Sequence, residues 1–219
     1  DCYLLLDASS SMNYASGKVS KLEYAKFLSA SLAHIVLKQR DSVGLSVFDS
    51  AVRAYLPPRS SMGIILQIDR LLRDIKPTPR TSIARQLHDI ALMMKRRSMV
   101  VLISDLFSSV DDILGGLDHL RFDGHNVVVL HTLDPYELKF PFQGAWCFEG
   151  LEGEEPLTTQ VERIREDYLA SFNEYLQALR DGCTASHVDY TTVDTSLPLD
   201  GVLSEFFFKR QAAMNGARL

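Results

Sequence analysis

Three consecutive leucines, Leu4, Leu5 and Leu6, run directly into Asp7, and Ser9 and Ser11 follow at two-residue spacing. An apolar run this short, bounded by polar turn formers, fits a strand buried on both faces of a parallel sheet. Asp7, Ser9 and Ser11 then fall at the carboxyl end of that strand, where open α/β sheets place their ligands. One carboxylate and two hydroxyls form a hard-oxygen set, matched to Mg²⁺ or Mn²⁺ and poorly matched to zinc. The same residue types also make turns and cap helices, so the motif needs support from elsewhere in the chain.

That support comes from the order of elements. Residues 21–40 carry apolar side chains at helical spacing (Leu22, Ala25, Leu28, Leu32, Ile35, Val36) and end in Lys38 and Arg40, where cations suit the helix dipole. Residues 41–48 and 52–56 are predicted strands joined tightly enough for an antiparallel hairpin, which Pro57-Pro58 would end. A helix through Ile64, Ile68 and Leu72, capped by Ser60 or Ser61, precedes a loop stiffened by Pro77 and Pro79. Thr81 or Ser82 opens the next helix, 83–95. Residues 99–103 are a second wholly apolar run, and it too ends on an acid, in Ser104-Asp105. A helix over 110–121 and a buried strand over 126–133 follow. Segment 134–159 breaks the rhythm as an insertion with Phe140, Phe142, Trp146 and Phe148, expected to fold back as a hairpin over the sheet edge with an acidic, solvated tip. A helix over 161–179, a strand over 186–193 and a closing helix over 199–210 complete the chain. Strands alternating with helices give an α/β fold: a doubly wound, mostly parallel sheet flanked by helices on both faces, with one short antiparallel edge strand. One domain over 1–219 is expected, with neither repeat nor linker.

Composition narrows the function classes. A net charge of −5 argues against a nucleic-acid surface. Cys2, Cys147 and Cys183 are far apart and form no Cys-x-x-Cys pair, which points to reduced core thiols in a cytoplasmic protein rather than a zinc cage or disulfide framework. No run of about twenty apolar residues is present, so no membrane partner is expected for this segment. The chain opens inside its first strand, as the C-terminal part of a longer polypeptide would. Nucleophile-elbow, P-loop and dinucleotide-binding motifs are missing, and the six histidines lack metal-ligand spacing. His131 and His187 fall in predicted strands and are read as packing groups, as are Met93-Met94 and Phe206-Phe207-Phe208.

Three loops at strand ends now carry oxygen ligands: Asp7, Ser9 and Ser11 in the first, Thr81 before a helix, and Asp105 after the strand over 99–103. In a doubly wound sheet these loops converge on one crevice. Together they resemble the metal-ion-dependent adhesion site of von Willebrand factor A-type domains. A tighter resemblance, to the bacterial A-type family of unknown function encoded beside MoxR-type AAA+ ATPases, is carried by residues 7–12, 21–26, 41–45 and 134–138 with Phe140-Pro141-Phe142. The resemblance implies that Ser9 and Ser11 bind Mg²⁺ (or Mn²⁺) directly, that Thr81 binds directly or through water, and that Asp7 and Asp105 add charge. It implies an open position for an acidic side chain of a partner protein, and a MoxR-type ATPase as that partner. Two departures stand out: Leu106 follows Asp105 where many A-type domains have glycine, and Pro79-Arg80 precedes Thr81 in place of a glycine pair.

The expected function is therefore a non-enzymatic, divalent-metal-dependent interaction domain, an adaptor or co-chaperone for such an ATPase. One alternative is a metal-dependent phosphohydrolase with Asp7 as nucleophile, which would want a second acid at the Ser9 position and a lysine for the phosphate, not identifiable from sequence. The other is a scaffold of the same fold without metal.

Overall fold

The structure is a computed structural model describing residues 1–78, 83–151 and 155–216, with residues 209–216 described as backbone only. Through the first half the chain runs β1 (Cys2–Asp7), a 3-10 turn (Ser10–Asn13), α1 (Lys21–Lys38), β2 (Val43–Phe48), β3 (Val52–Arg59), α2 (Gly63–Asp74), α3 (Ile83–Met93) and β4 (Met99–Ser104). It continues through α4 (Val110–Phe122), β5 (Asn126–Leu133), α5 (Pro135–Lys139), β6 (Ala145–Phe148), β7 (Leu157–Gln160), α6 (Val161–Ala185), β8 (Asp189–Asp194) and α7 (Leu199–Gly216).

Six strands form one sheet in the order β3-β2-β1-β4-β5-β8, and β6 and β7 form a separate hairpin. Every pairing in the large sheet is parallel except β2 with β3. β1 lies at the centre, with β2 on one side and β4 on the other, so the chain winds outward in both directions from it. Side chains alternate across the sheet. Leu4 and Leu6 pack with α1, α2 and α7 on one face. Tyr3 and Leu5 pack with α3, α4 and α6 on the other. Burial on both faces is why the strand sequence is an unbroken apolar run.

The structure differs from the sequence reading at several places. β3 does not stop at Leu56 but runs through Pro57 and Pro58 to Arg59. It is an edge strand, where a missing N–H costs no ladder bond, and a register shift between Val43 and Leu45 accommodates the prolines. α6 does not end at Leu179. Gly182 lets it continue against Leu114 of α4, where a side chain would collide, and the helix closes at Ala185. His187 is consequently not a strand residue: it ends α6 in the left-handed region (φ 54°), and β8 begins at Asp189. Cys2 and Cys183 are buried, but Cys147 lies exposed on β6. Phe206 and Phe207 pack on the core while Phe208 is exposed.

The 134–159 insertion forms the expected hairpin, but not over a sheet edge; the edges are β3 and β8. Val161 follows β7 directly and its N–H bonds the Gly144 carbonyl (3.0 Å), which seats the hairpin on the start of α6. Phe140 then stacks on Tyr168 of α6 (4.3 Å between ring centroids) and Phe142 packs edge-on against Trp146 (4.9 Å). Glu149 and Glu155 at the tip are exposed; Glu152, Gly153 and Glu154 lie outside the described residues.

Candidate functional site

β1 and β4 are neighbours in register, Leu6 opposite Ile103, so their carboxyl ends emerge side by side. Asp7 is fully buried there. Its Oδ1 accepts the Ser9 N–H (2.9 Å) and its Oδ2 accepts the Ser104 hydroxyl (2.5 Å). The 3-10 turn that follows brings the Ser9 and Ser11 hydroxyls to 3.1 Å from each other. The two hydroxyls are hydrogen-bonded to each other, and adjacent ligands on an octahedral Mg²⁺ with bonds of 2.0–2.1 Å lie about 2.9 Å apart, so a small separation change would let this pair span one edge of such a shell.

Asp105, just past β4, completes the described part of the set. Its Oδ1 accepts the Phe107 N–H (3.3 Å), and its carbonyl accepts Nε2–H of His131 (2.8 Å). The other ring nitrogen of His131 takes the Tyr190 hydroxyl (2.6 Å). Complete burial lowers the His131 pKa to about 4, which keeps the imidazole neutral and matches one donating and one accepting nitrogen. Leu106, standing where many A-type domains carry glycine, adopts a left-handed conformation (φ 50°). It is held there by full burial, by its N–H on the Ser104 hydroxyl (2.9 Å), and by the Tyr175 hydroxyl donating to its carbonyl.

Thr81 lies outside the described residues. The described chain before it ends at Thr78, whose N–H donates to the Ala8 carbonyl (3.1 Å). The Thr78 hydroxyl donates to Asp49 (2.5 Å), which Arg53 also pairs (2.7 Å). Burial alone would raise the Asp49 carboxyl, but these hydrogen bonds and the guanidinium outweigh it and hold the pKa below the usual range.

The sequence reading missed the cation already in the crevice. Lys21, the first residue of α1, sends its Nζ to Asp105 Oδ2 (2.9 Å) and to Glu137 Oε1 (2.6 Å). Glu137 belongs to a capping box on α5: its Oε2 accepts the Asp134 N–H (2.8 Å) while Asp134 accepts the Tyr136 N–H (2.8 Å). Asp134 Oδ2 also accepts the Ser16 N–H (2.9 Å), tying α5 to the loop after the 3-10 turn. Two signals were available: a lysine at a helix start runs against the macrodipole, and Asp-Pro-x-Glu is a capping pattern. Neither identifies the partner, because Asp105 and Glu137 are remote in sequence. Among the described residues, the carboxylates of Asp7, Asp105 and Glu137 outnumber the Lys21 ammonium in this crevice, a balance that favours a cation.

Beside this cluster the fold leaves a cleft of about 460 Å³ between Ser11, Lys21 and the β6–β7 hairpin, walled by Phe107, Phe140, Phe142 and Tyr168. A second hollow of about 500 Å³ shares Lys21, Phe107 and Tyr168 with it and reaches Asp105.

Residues 1–177 match the family described as "Protein of unknown function DUF58". The chain belongs to that family. No curated protein matches it. Among solved structures, this DUF58 chain is similar to the conserved hypothetical protein BatB from Bacteroides thetaiotaomicron, with a TM-score of 0.59 and 19% identity over 95% of this chain and 97% of that one. It is also similar to the SpRpn10 VWA domain, with a TM-score of 0.53 and 13% identity over 90% and 89% of the two chains. A third, an aerotolerance-related membrane protein from Bacteroides fragilis NCTC 9343, gives a TM-score of 0.51 at 18% identity over 82% and 98%. At these identities the likeness shows the fold, which is von Willebrand factor A-like. Among the described residues no helix is long and apolar enough to cross a membrane.

Proposed function

We propose that this DUF58 chain is a divalent-cation-dependent protein-interaction domain, acting as an adaptor for a MoxR-type AAA+ ATPase. The carrying observation is the Ser9–Ser11 hydroxyl pair, 3.1 Å apart at the carboxyl end of the central strand and spaced close to one edge of an octahedral shell. Ser9 and Ser11 would hold Mg²⁺ or Mn²⁺ directly, with Asp7, Asp105 and Thr81 completing the set. The bound ion would supply an exposed positive centre for an acidic side chain. Asp7 braces the turn through Ser9 and Ser104.

Asp7 makes a poor nucleophile for the phosphohydrolase alternative, since it is fully buried with both oxygens hydrogen-bonded. Lys21 supplies the lysine that reading lacked, but two carboxylates already hold its Nζ. Calorimetric titration with a purified MoxR-type ATPase, in Mg²⁺ and in chelator, tests the proposal. Wild type should bind only with metal, and Ser9→Ala and Thr81→Ala should weaken binding while circular dichroism stays native. Ser10→Ala, outside the ligand pattern, should bind as wild type. Equal binding with and without metal would overturn the cation, and no binding in either would overturn the partner.

A further inference from the structure

The cleft beside the candidate cation position is built from side chains that a lone domain would be expected to bury. Phe107 is 59% exposed and Leu157 55% exposed, and both line it. Tyr136 and Leu151, also in the lining, are 40% and 45% exposed. Contiguous exposed apolar surface of this kind marks an interaction site. The walls are preorganised rather than loose. Phe140 stacks on Tyr168 and lies edge-on to Phe142 (5.1 Å), and Phe142 contacts Phe148 (5.3 Å). A volume of about 460 Å³ falls within the range of pockets that take drug-sized ligands, so it has room for more than one side chain of a bound segment.

Charged groups share the lining with these aromatics. Ser11 and Lys21 belong to it, with Asp105 reached through the adjoining hollow, so the proposed cation position borders the cleft. Glu149 and Glu155 of the hairpin belong to it too, both exposed. A segment seated there would meet the proposed cation, aromatic walls and two carboxylates. We propose that the cleft binds a partner-protein segment that places an acidic side chain at the cation, an aromatic or branched aliphatic side chain against the walls that include Phe107 and Phe142, and a basic side chain at Glu149 and Glu155. The acidic element rests on the function proposed above; the apolar and basic elements rest on the cleft alone. An apolar anchor in a rigid aromatic pocket supplies most of the affinity, and complementary charges beside it add specificity.

Selection of phage-displayed random dodecapeptides on the immobilised 219-residue chain, in Mg²⁺ and in EDTA, tests this. Enriched peptides should carry an acidic, an apolar and a basic residue. Their synthetic forms should bind about tenfold more weakly to Phe107→Ala and Leu157→Ala. Glu149→Lys with Glu155→Lys should remove the preference for the basic residue. Leu92→Ala, an exposed apolar control on α3, should bind as wild type. Peptides that keep the apolar and basic residues but need neither acid nor Mg²⁺ would sustain the cleft and overturn the cation. Peptides that need only acid and Mg²⁺, and ignore Phe107→Ala and Leu157→Ala, would overturn the cleft and leave the cation. Failure of any peptide to enrich would also overturn the cleft. So would self-association in sedimentation that Phe107→Ala abolishes, since the occupant would then be a second copy of this chain.

Discussion

Lys21 illustrates what a single residue does in this crevice. Its side chain is 3% exposed between two carboxylates. Burial pulls its pKa down, but Asp105 and Glu137 outweigh that and hold it above the usual lysine range, so the ammonium stays charged. Lys21→Met would strand both acids in poor solvent, and breaking a buried pair from one side costs about 3 kcal/mol. Urea unfolding should show a lower midpoint with an unchanged slope. Adding Glu137→Gln should recover part of the loss; a single-variant loss below about 0.5 kcal/mol would mean the pair behaves like a surface bridge. His125 gives a pH dependence far from this cluster. It is buried, its Nδ1 accepts the Ser98 N–H (3.2 Å), and burial lowers its pKa despite the opposing pull of Asp123. The unfolded chain takes up the proton near pH 6.5 and the folded chain only lower, so stability is lost as pH falls below about 6.5. Wild type should therefore lose more stability than His125→Gln between about pH 7.5 and about pH 5.5. Equal losses in urea titrations would remove His125 as the cause.

Between elements, the crossing of α3 and α4 turns on adjacent glycines with opposite roles. Gly115 faces open space, whereas a Cβ on Gly116 would sit 2.9 Å from Leu87 and 3.0 Å from the Ala84 backbone. Gly115→Ala should stabilise by about 0.5–1 kcal/mol through helix propensity alone. Gly116→Ala gains the same propensity but forces α3 away, at a cost of about 1–3 kcal/mol, so it should be neutral to destabilising. Thermal midpoints that move oppositely for the two variants would confirm the close approach. Among the described residues β6 and β7 pair only with each other, so their position depends on α6 and on the aromatic contacts of Phe140 and Phe142.

For the whole molecule, the proposed cation is a stability term. Asp7 and Asp105 converge from β1 and β4 at the centre of the sheet, and an ion bound only by the folded chain adds about 2.7 kcal/mol at a hundredfold excess over its Kd. Thermal unfolding in millimolar Mg²⁺ or Mn²⁺ should give higher midpoints than in EDTA. Identical midpoints in all three would remove the site while leaving the fold untouched.

The sheet itself was legible in the chain. Leu4–Leu6, residues 99–103 and residues 127–130 are wholly apolar because both faces of those strands are covered, and the 3.6-residue repeat in 21–40 is the imprint of one covered face. Asp7, Ser9 and Ser11 were legible because they are close in sequence, and Asp105 because it follows an equivalent strand. The partners of those groups were not. Ser104 on Asp7, Lys21 on Asp105 and Glu137, and His131 beneath Asp105 are pairings across 97, 84, 116 and 26 residues. Local propensity and periodicity act over a few turns of chain, and nothing in them encodes which remote polar group neutralises another. That choice is made only when β1, β4 and β5 lie side by side and α1 and α5 close over their ends, because only there does leaving a buried charge or donor unpaired carry its full cost.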